Sequence, residues 1–273
     1  MIFQKKYPVA ALSHFVRYYW YFEIGEDEVP CSQLSFPYGA FELICYLENP
    51  NTMQWVGSES EFFEPAIFYA GQLTKPFIMS FTKKCTCVGA SLYPWAGDHL
   101  YNIPAGEFTN QLAPLDNLEI DTGIYDQLKF CADKNALFDC LERYLLKKLS
   151  KKQNDPLVYS IARQIINNPT RQLLNLKIST LGLSRRRIEQ RFINSTGLSM
   201  GAFTRKVRFQ KAVHLLKEKH AGINLTTIGL QAGYYDQAHF ISDFKAFSGL
   251  SPKNFRAQTT ELKDFLKTLV MGG

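Results

Sequence analysis

Four arginines fall within the seven residues of the segment 185–191. Ile188 and Phe192 lie four residues apart in this region, which is the spacing of a buried stripe on a helix. The residues that such a stripe leaves pointing outward are Arg186, Glu189 and Gln190. Arginine can pair with guanine and glutamine with adenine through two hydrogen bonds each, and glutamate can accept from cytosine. This face has the chemistry to read base edges in DNA, although a solvated charged face is the alternative for one such helix alone.

A second stretch, residues 237–245, has Phe240 and Phe244 as its buried pair. It is much less basic, so we expect it to read bases weakly or to act mainly through Lys245 and nearby backbone amides. His239 suits packing or a phosphate contact as well as it suits base reading. The candidates for its outer face are Gln237, Ala238, His239, Ile241 and Ser242.

Both stretches belong to a pattern that occurs twice. The first copy reads LGLS, RRRIEQRF and GLS, and the second reads AGYYD, QAHFISDFK and GLSP. Each predicts a short helix, a glycine-containing turn and a second helix that starts at a capping residue, Ser184 or Asp236. This helix-turn-helix unit places its second helix in a major groove of DNA. Two copies favour DNA binding far more strongly than one.

Residues 201–219, between the two copies, have the apolar spacing of a helix. At 1.5 Å per residue this helix would span about 28 Å, close to the ~34 Å between successive turns of one groove. Two recognition helices could thus reach adjacent major grooves, and some cations beside the linking helix, among them Arg208 and Lys211, should contact phosphates. The predicted DNA-binding residues are Ser184, Arg185, Arg186, Arg187, Glu189, Gln190, Arg205, Lys206, Asp236, Gln237, Ala238, His239, Ser242 and Lys245.

Charge and periodicity divide the chain of 273 residues, which is long enough for two domains. Residues 1–150 carry 11 Lys and Arg against 18 Asp and Glu, a net charge of −7, and residues 151–273 carry 20 against 7, a net charge of +13. Both properties change within the segment 147–156. We predict an α+β protein with a β-rich sensor or dimerisation domain over 1–150 and an all-α DNA-binding domain over 155–260.

Six short runs with strand composition occupy the first hundred residues, separated by turn residues. They read VRYYWYFEI, FELICYL, MQWVG, AIFYAGQ, PFIMSF and CTCVGASLY, and they predict a β-sandwich or a small barrel. An amphipathic helix is predicted over 134–150. Its apolar stripe could cover the sheet or form a face for a partner.

Aromatic residues in these runs alternate between strand faces, so some could line a ligand pocket beside a few polar anchors. The candidate ligand-binding residues are Arg17, Trp20, Tyr38, Glu42 and Trp95. A metal-dependent enzyme is disfavoured because the segment has only His14 and His99, so we predict no metal and no cofactor. Most of these aromatics should simply be core.

The six cysteines all lie in the acidic half and lack CxxC spacing. Core thiols in a reducing cytoplasm are the expectation, since no apolar N-terminal segment resembles a signal peptide. No apolar run approaches the roughly 18 residues of a membrane-spanning helix, so no membrane association is expected.

The C-terminal block resembles the DNA-binding domain of AraC/XylS-type transcriptional regulators over about 85 to 100 residues. The second copy carries the specific part of the match, and Arg208 and Ala212 match the linking helix. The matching residues of the second copy are Ile228, Gly229, Ala232, Gly233, Tyr234, Asp236, Phe240, Phe244, Lys245, Gly249, Ser251, Pro252, Phe255 and Arg256. The first copy departs more, with Lys177 and Ile178 where the family places an apolar residue and then a small one.

The resemblance implies a transcription regulator of double-stranded DNA, and the N-terminal half resembles the cupin-like sensor domains of such proteins. An effector or self-association would alter DNA binding, with a homodimer as one possibility and RNA polymerase as a partner of an activator. A DNA-binding protein without a ligand is one alternative. A DNA-repair regulator with a reactive cysteine is another.

Overall fold

The computed structural model describes residues 1–37, 39–101, 104–118, 123–149, 155–170, 183–218 and 223–261. The chain divides into two compact units. The first comprises Met1–Ser35, Ala40–Asn154 and Asn194–Gly197, and the second comprises Phe36–Gly39, Asp155–Ile193 and Leu198–Gly273. Among the described residues, no helix is both long enough and apolar enough to cross a membrane.

Ten strands form two antiparallel sheets in the described part of the first unit. The strands are β1 (Ile2–Lys6), β2 (Val16–Ile24), β3 (Cys31–Ser35), β4 (Phe41–Glu48), β5 (Thr52–Trp55), β6 (Glu61–Phe63), β7 (Ile67–Ala70), β8 (Phe77–Phe81), β9 (Cys85–Leu92) and β10 (Leu112–Pro114). The larger sheet has the order β1-β2-β9-β4-β7-β10, and the smaller has the order β3-β8-β5-β6. All six predicted runs are strands, which confirms the β-rich N-terminal half.

Three helices cover one face of the larger sheet: α1 (Ala96–Tyr101), α2 (Gly123–Lys129) and α3 (Lys134–Lys148). Helix α3 begins where Asp133 accepts a hydrogen bond from the backbone N–H of Ala136 at 2.9 Å. Its Leu137, Leu141 and Leu145 are buried in one core with strands β2 and β9. The stripe predicted over 134–150 therefore packs on the chain's own sheet.

The opposite face of the larger sheet is turned toward the smaller sheet. Phe22 of β2 contacts Phe81 of β8 with ring centroids 5.8 Å apart. Tyr46 of β4 donates toward Glu64 and Asn51, which flank strands of the smaller sheet. The architecture is a two-sheet sandwich with helices on its outer face.

The described part of the second unit is helical. Its helices are α4 (Pro156–Asn167), α5 (Arg185–Thr196), α6 (Met200–Glu218), α7 (Leu225–Ala232), α8 (Gln237–Ser248) and α9 (Pro252–Glu261). Helix α6 corresponds to the helix predicted over 201–219. The ring centroids of its Phe209 and of Phe244 of α8 are 5.1 Å apart. The ring centroids of Phe203 of α6 and Phe192 of α5 are 5.5 Å apart. Phenylalanines thus connect both predicted recognition helices to α6.

Candidate nucleic-acid interface

The second helix-turn-helix unit consists of α7, a short turn and α8. Gly233 ends α7 in the left-handed region at φ 98°, which glycine adopts without steric cost. Asp236 then begins α8 by accepting a hydrogen bond from the backbone N–H of His239 at 2.7 Å. The two helices approach closely, because a Cβ on Gly229 would lie 3.0 Å from the Phe240 ring. The family resemblance at these positions thus reflects the geometry of the turn.

One face of α8 is buried and the other is open. Phe240 and Phe244 are fully buried, as predicted. The exposed residues on and before α8 include Asp236, Gln237, Ala238, Ser242 and Lys245. Gln237 Oε1 accepts a hydrogen bond from Thr226 Oγ1 at 2.9 Å, which orients the amide at the start of the helix.

Tyr235 is a candidate contact residue that the sequence analysis missed. Its side chain is 91% exposed, immediately before the N-terminus of α8. Its neighbour Tyr234 is only 3% exposed and packs on Phe240, with the two ring centroids 5.2 Å apart. The sequence feature that could have indicated this residue is the Tyr-Tyr pair in the turn. Neighbouring side chains in such a turn point in different directions, so one of the two tyrosines is exposed when the other is buried.

Helix α5 repeats the arrangement of α8. Ile188 and Phe192 are fully buried, whereas Arg185, Arg186 and Arg187 are exposed. The Arg187 backbone N–H donates to Ser184 Oγ at 3.3 Å, so Ser184 caps the helix start as predicted. The predicted first helix of this unit lies within 171–182, outside the described residues.

Two charged residues of α5 make contacts within the second unit. Arg191 donates from Nε and Nη2 to the carboxylate of Asp155, both at 2.7 Å. Glu189 Oε1 accepts a hydrogen bond from the backbone N–H of Met200 at 3.0 Å, at the start of α6. Glu189 therefore caps a helix, which corrects its interpretation as a free base-reading side chain.

The cations of α6 are also used inside the unit. Lys206 is only 2% exposed, and burial lowers its pKa to about 7. Arg208 is buried and donates to the carbonyl of Pro169 at 2.8 Å, while Lys211 donates to that of Asn167 at 2.9 Å. The expectation that Lys206 contacts phosphate is corrected, because a buried ammonium cannot reach the DNA backbone.

Arg205 links α6 to α8. Its Nε and Nη2 lie 3.0 and 2.7 Å from Oδ1 of Asp243, a carboxylate that is almost completely buried. His239 Nε2 lies 3.5 Å from the other carboxylate oxygen. Arg205, predicted as a phosphate contact, thus holds the recognition helix against α6. About half of its side chain remains exposed.

The candidate ligand residues of the first unit separate into two groups. Trp20 Nε1 donates to Glu42 Oε2 at 2.8 Å, and the charge of Arg17 acts on Glu42. Trp95 is 3% exposed, donates to the carbonyl of His14 at 2.8 Å and stacks on Tyr93. Trp95 therefore packs within the first unit, and its role as a ligand contact stays a prediction. Tyr38 lies outside the described residues.

Residues 179–258, which include both recognition helices, match the family described as a helix-turn-helix domain. The C-terminal half of the chain therefore contains a helix-turn-helix domain. An "Uncharacterized HTH-type transcriptional regulator" of Haemophilus influenzae is 32% identical over 117 residues. This region is 42% of the present chain and 37% of that protein, so the chain spans less than half of its relative. Residues 4–114, ahead of the helix-turn-helix domain, match a domain of unknown function, DUF6597.

Solved structures that match this chain include ToxT and CuxR, both with TM-scores below 0.5. ToxT from Vibrio cholerae has 10% sequence identity and a TM-score of 0.49, with 94% of this chain and 98% of that chain covered. The AraC-like transcriptional activator CuxR has 9% identity and a TM-score of 0.23, with 92% and 74% covered.

Proposed function

We propose that this protein regulates transcription by binding double-stranded DNA sequence-specifically, with α5 and α8 in two adjacent major grooves. The observation that carries the proposal is the repeated unit: two capped helices, each with a buried apolar stripe and an open polar face, packed on one helix. Helix α6 has 19 residues and so spans about 28 Å. This length suits helices that enter successive turns of one groove, ~34 Å apart.

The contacts divide into base readers and phosphate binders. Arg186 and Gln190 are the base readers proposed on α5, and Gln237, Ala238 and Ser242 are those proposed on α8. Phosphate contacts come from Arg185, Arg187 and Lys245, together with the backbone amides where each recognition helix begins. Since Lys206, Arg208 and Lys211 are used internally, fewer phosphates are bound from α6 than the sequence implied.

The N-terminal domain modulates this binding through an effector or through self-association. Its partners would be a small molecule or a second copy of the chain, and RNA polymerase if the protein activates. The proposed location is the cytoplasm, together with the DNA target. A purely architectural domain would fill the space between its sheets, yet Trp20 and Glu42 keep partial solvent access there.

A DNA-repair function with an acceptor cysteine has little support. Burial raises the pKa of Cys45 to about 12 and raises the pKa of Cys87 well above its usual value. Such thiols stay protonated at neutral pH, whereas the thiolate is the nucleophile. A regulator that performs no reaction accounts for these residues better.

Selection of bound duplexes from a random DNA pool by the full-length protein tests the proposal. We expect an enriched site with two elements about one helical turn apart. If six to ten phosphates are neutralised, affinity for that site should fall by about three to five orders of magnitude between 50 and 200 mM salt. Absence of enrichment by a folded protein would contradict sequence-specific binding.

A further inference from the structure

A polar cluster lies on the face of the larger sheet that is turned toward the smaller sheet. Lys5 is paired with Trp20 across β1 and β2. Ser91 is paired with both Tyr18 and Glu42 on the flanking strands. Directly paired residues project to the same face, so these five side chains emerge together between the sheets. We call them the interior cluster.

Glu42 is the acidic member of the interior cluster. Burial raises its pKa to about 7, although the hydrogen bond from Trp20 and the positive charges of Arg17 and Lys5 act to lower it. At neutral pH its carboxyl group is therefore present in both protonation states. The protonated form is a hydrogen-bond donor as well as an acceptor.

Lys5 carries an ammonium group without an acceptor. Its Nζ lies 4.2 Å from the ring centroid of Tyr18 and 5.5 Å from that of Phe3. The atom is shielded from solvent, and it has no hydrogen-bond partner among the described residues. Contact with aromatic rings compensates only part of the cost of burying a charge that can donate three hydrogen bonds. An acceptor from outside the chain would supply what is missing.

Several side chains in and beside the interior cluster keep partial contact with solvent. On β4, the residues that face the helices are fully buried, including Phe41 and Leu43. Glu42 and Ile44, which alternate with them and face the smaller sheet, keep partial solvent contact. Trp20 on β2 does the same, between the buried Tyr19 and Tyr21. A completely packed interior would leave none of these side chains accessible.

We propose that the interior cluster binds the carboxylate of a small organic acid, with Lys5 as the cationic anchor and protonated Glu42 as a second donor. The charges of two cations, Lys5 and Arg17, act on a single carboxyl group there, so the site favours an anion. The Phe3 and Trp20 rings stack at 6.4 Å with 12° between their planes and provide a flat apolar wall for the ligand's body. The proposal rests on the function proposed above, because it assigns the effector class of the N-terminal domain.

Titration of the full-length protein with phenylacetate tests the proposal. The indole N–H signals of the three tryptophans are followed by ¹H–¹⁵N NMR, and phenylacetamide serves as the uncharged control. We expect phenylacetate to shift the Trp20 signal saturably and phenylacetamide to bind at least tenfold more weakly. Equal responses to the two probes, or no response to phenylacetate, would overturn the proposal.

Two lysine variants localise the site. Lys5→Met should weaken phenylacetate binding at least tenfold. Lys6→Met is the matched control, because Lys6 follows Lys5 on β1 and pairs with Asp139 of α3 instead. It should bind phenylacetate like the unsubstituted protein. Equal affinities of the two variants would contradict the assignment of Lys5.

The pH dependence of the unsubstituted protein gives a second test that needs no destabilising change. Because the ligand binds protonated Glu42, phenylacetate affinity should fall about tenfold from pH 6 to pH 8. Glu42→Gln should remove most of that fall and leave the smaller part that comes from Lys5, whose pKa burial lowers to about 8. A flat profile would overturn the role of Glu42. DNA binding is measured separately, so a failed titration with operator binding intact rejects the ligand class alone.

Discussion

At the scale of single residues, the buried stripes were predictable and the fates of the charges were not. Ile188 and Phe192 are buried as their spacing predicts. The spacing of apolar residues along a single helix is enough to predict which of its side chains are buried. Lys206 could not be placed in this way. It follows Arg205 on a helix that several other helices pack against, so most positions of α6 are buried and the sequence pattern does not single out the buried lysine.

Arg186 should determine base preference. Arg186→Ala is expected to cost about 1 to 3 kcal/mol on the selected site and to relax preference at one base position, because a bidentate contact to guanine is lost. Binding titrations on the selected and singly permuted duplexes measure this. Arg191→Ala is the matched control, since its guanidinium pairs with Asp155: it should lower the free energy of unfolding and leave base preference unchanged. A preference changed equally by both variants would contradict the assignment.

Lys206 should make stability depend on pH. Burial lowers its pKa to about 7 in the folded state, so between that value and its unfolded value of about 10.4 the unfolded chain binds more protons. The free energy of unfolding should therefore rise with pH across this range. Lys206→Met removes this titrating group, so the free energy of unfolding of the variant should rise less steeply with pH than that of the unsubstituted protein.

Denaturant unfolding at several pH values measures the effect of Lys206→Met. Burial also lowers the pKa of Lys217 to about 7, so Lys217 adds its own increase in the free energy of unfolding with pH. The effect of Lys206 is therefore the difference between the unsubstituted protein and the Lys206→Met variant. DNA affinity should stay unchanged in the folded variant. A uniform loss of affinity on all sequences would restore Lys206 as a phosphate contact.

At the scale of elements, the close crossing of α7 and α8 depends on Gly229. Gly229→Val should destabilise the protein by about 1 to 3 kcal/mol, because its Cβ would press on Phe240, which is fully buried and cannot move aside. Gly201→Val in α6 is the control, since a Cβ there meets only Ser199 Oγ at 4.0 Å. Thermal unfolding compares them, and equal melting temperatures would show that α7 and α8 can separate without cost.

The three longest strands, β2, β4 and β9, were predictable from the sequence, whereas the two shortest, β6 and β10, were missed together with β1 and β3. The run VRYYWYFEI coincides with β2, whose nine residues are rich in aromatic side chains. Strands β6 and β10 have three residues each, EFF and LAP, which is too short for an alternating pattern. Helix α5 and its capping residue were predictable for the same reason as β2, because periodicity and turn chemistry agree there.

At the scale of the whole molecule, the acidic and basic halves of the sequence correspond to different kinds of structure. Sandwich and helical domain each have a core of their own. The boundary between residues 150 and 155 stays a prediction. We expect a fragment of residues 155–273 to fold with the helical content of α4 to α9 and to bind DNA with a steep salt dependence.

Circular dichroism and salt titration of that fragment, beside the full-length protein, measure this expectation. The fragment of residues 1–150 is the control and should bind no DNA at any salt concentration, since its net charge is negative. An unfolded C-terminal fragment would show that the boundary lies elsewhere or that the sandwich is needed for folding.

Helix α6 runs unbroken from Met200 to Glu218, and the Arg205–Asp243 ion pair holds α8 against it. If α5 and α8 read DNA as proposed, they consequently have a fixed phase as well as a fixed separation. One base pair inserted between the halves of an operator rotates one half by about 34 to 36° relative to the other. With no hinge in α6 to follow that rotation, genuine operators should vary freely in the composition of their spacers and hardly at all in their length.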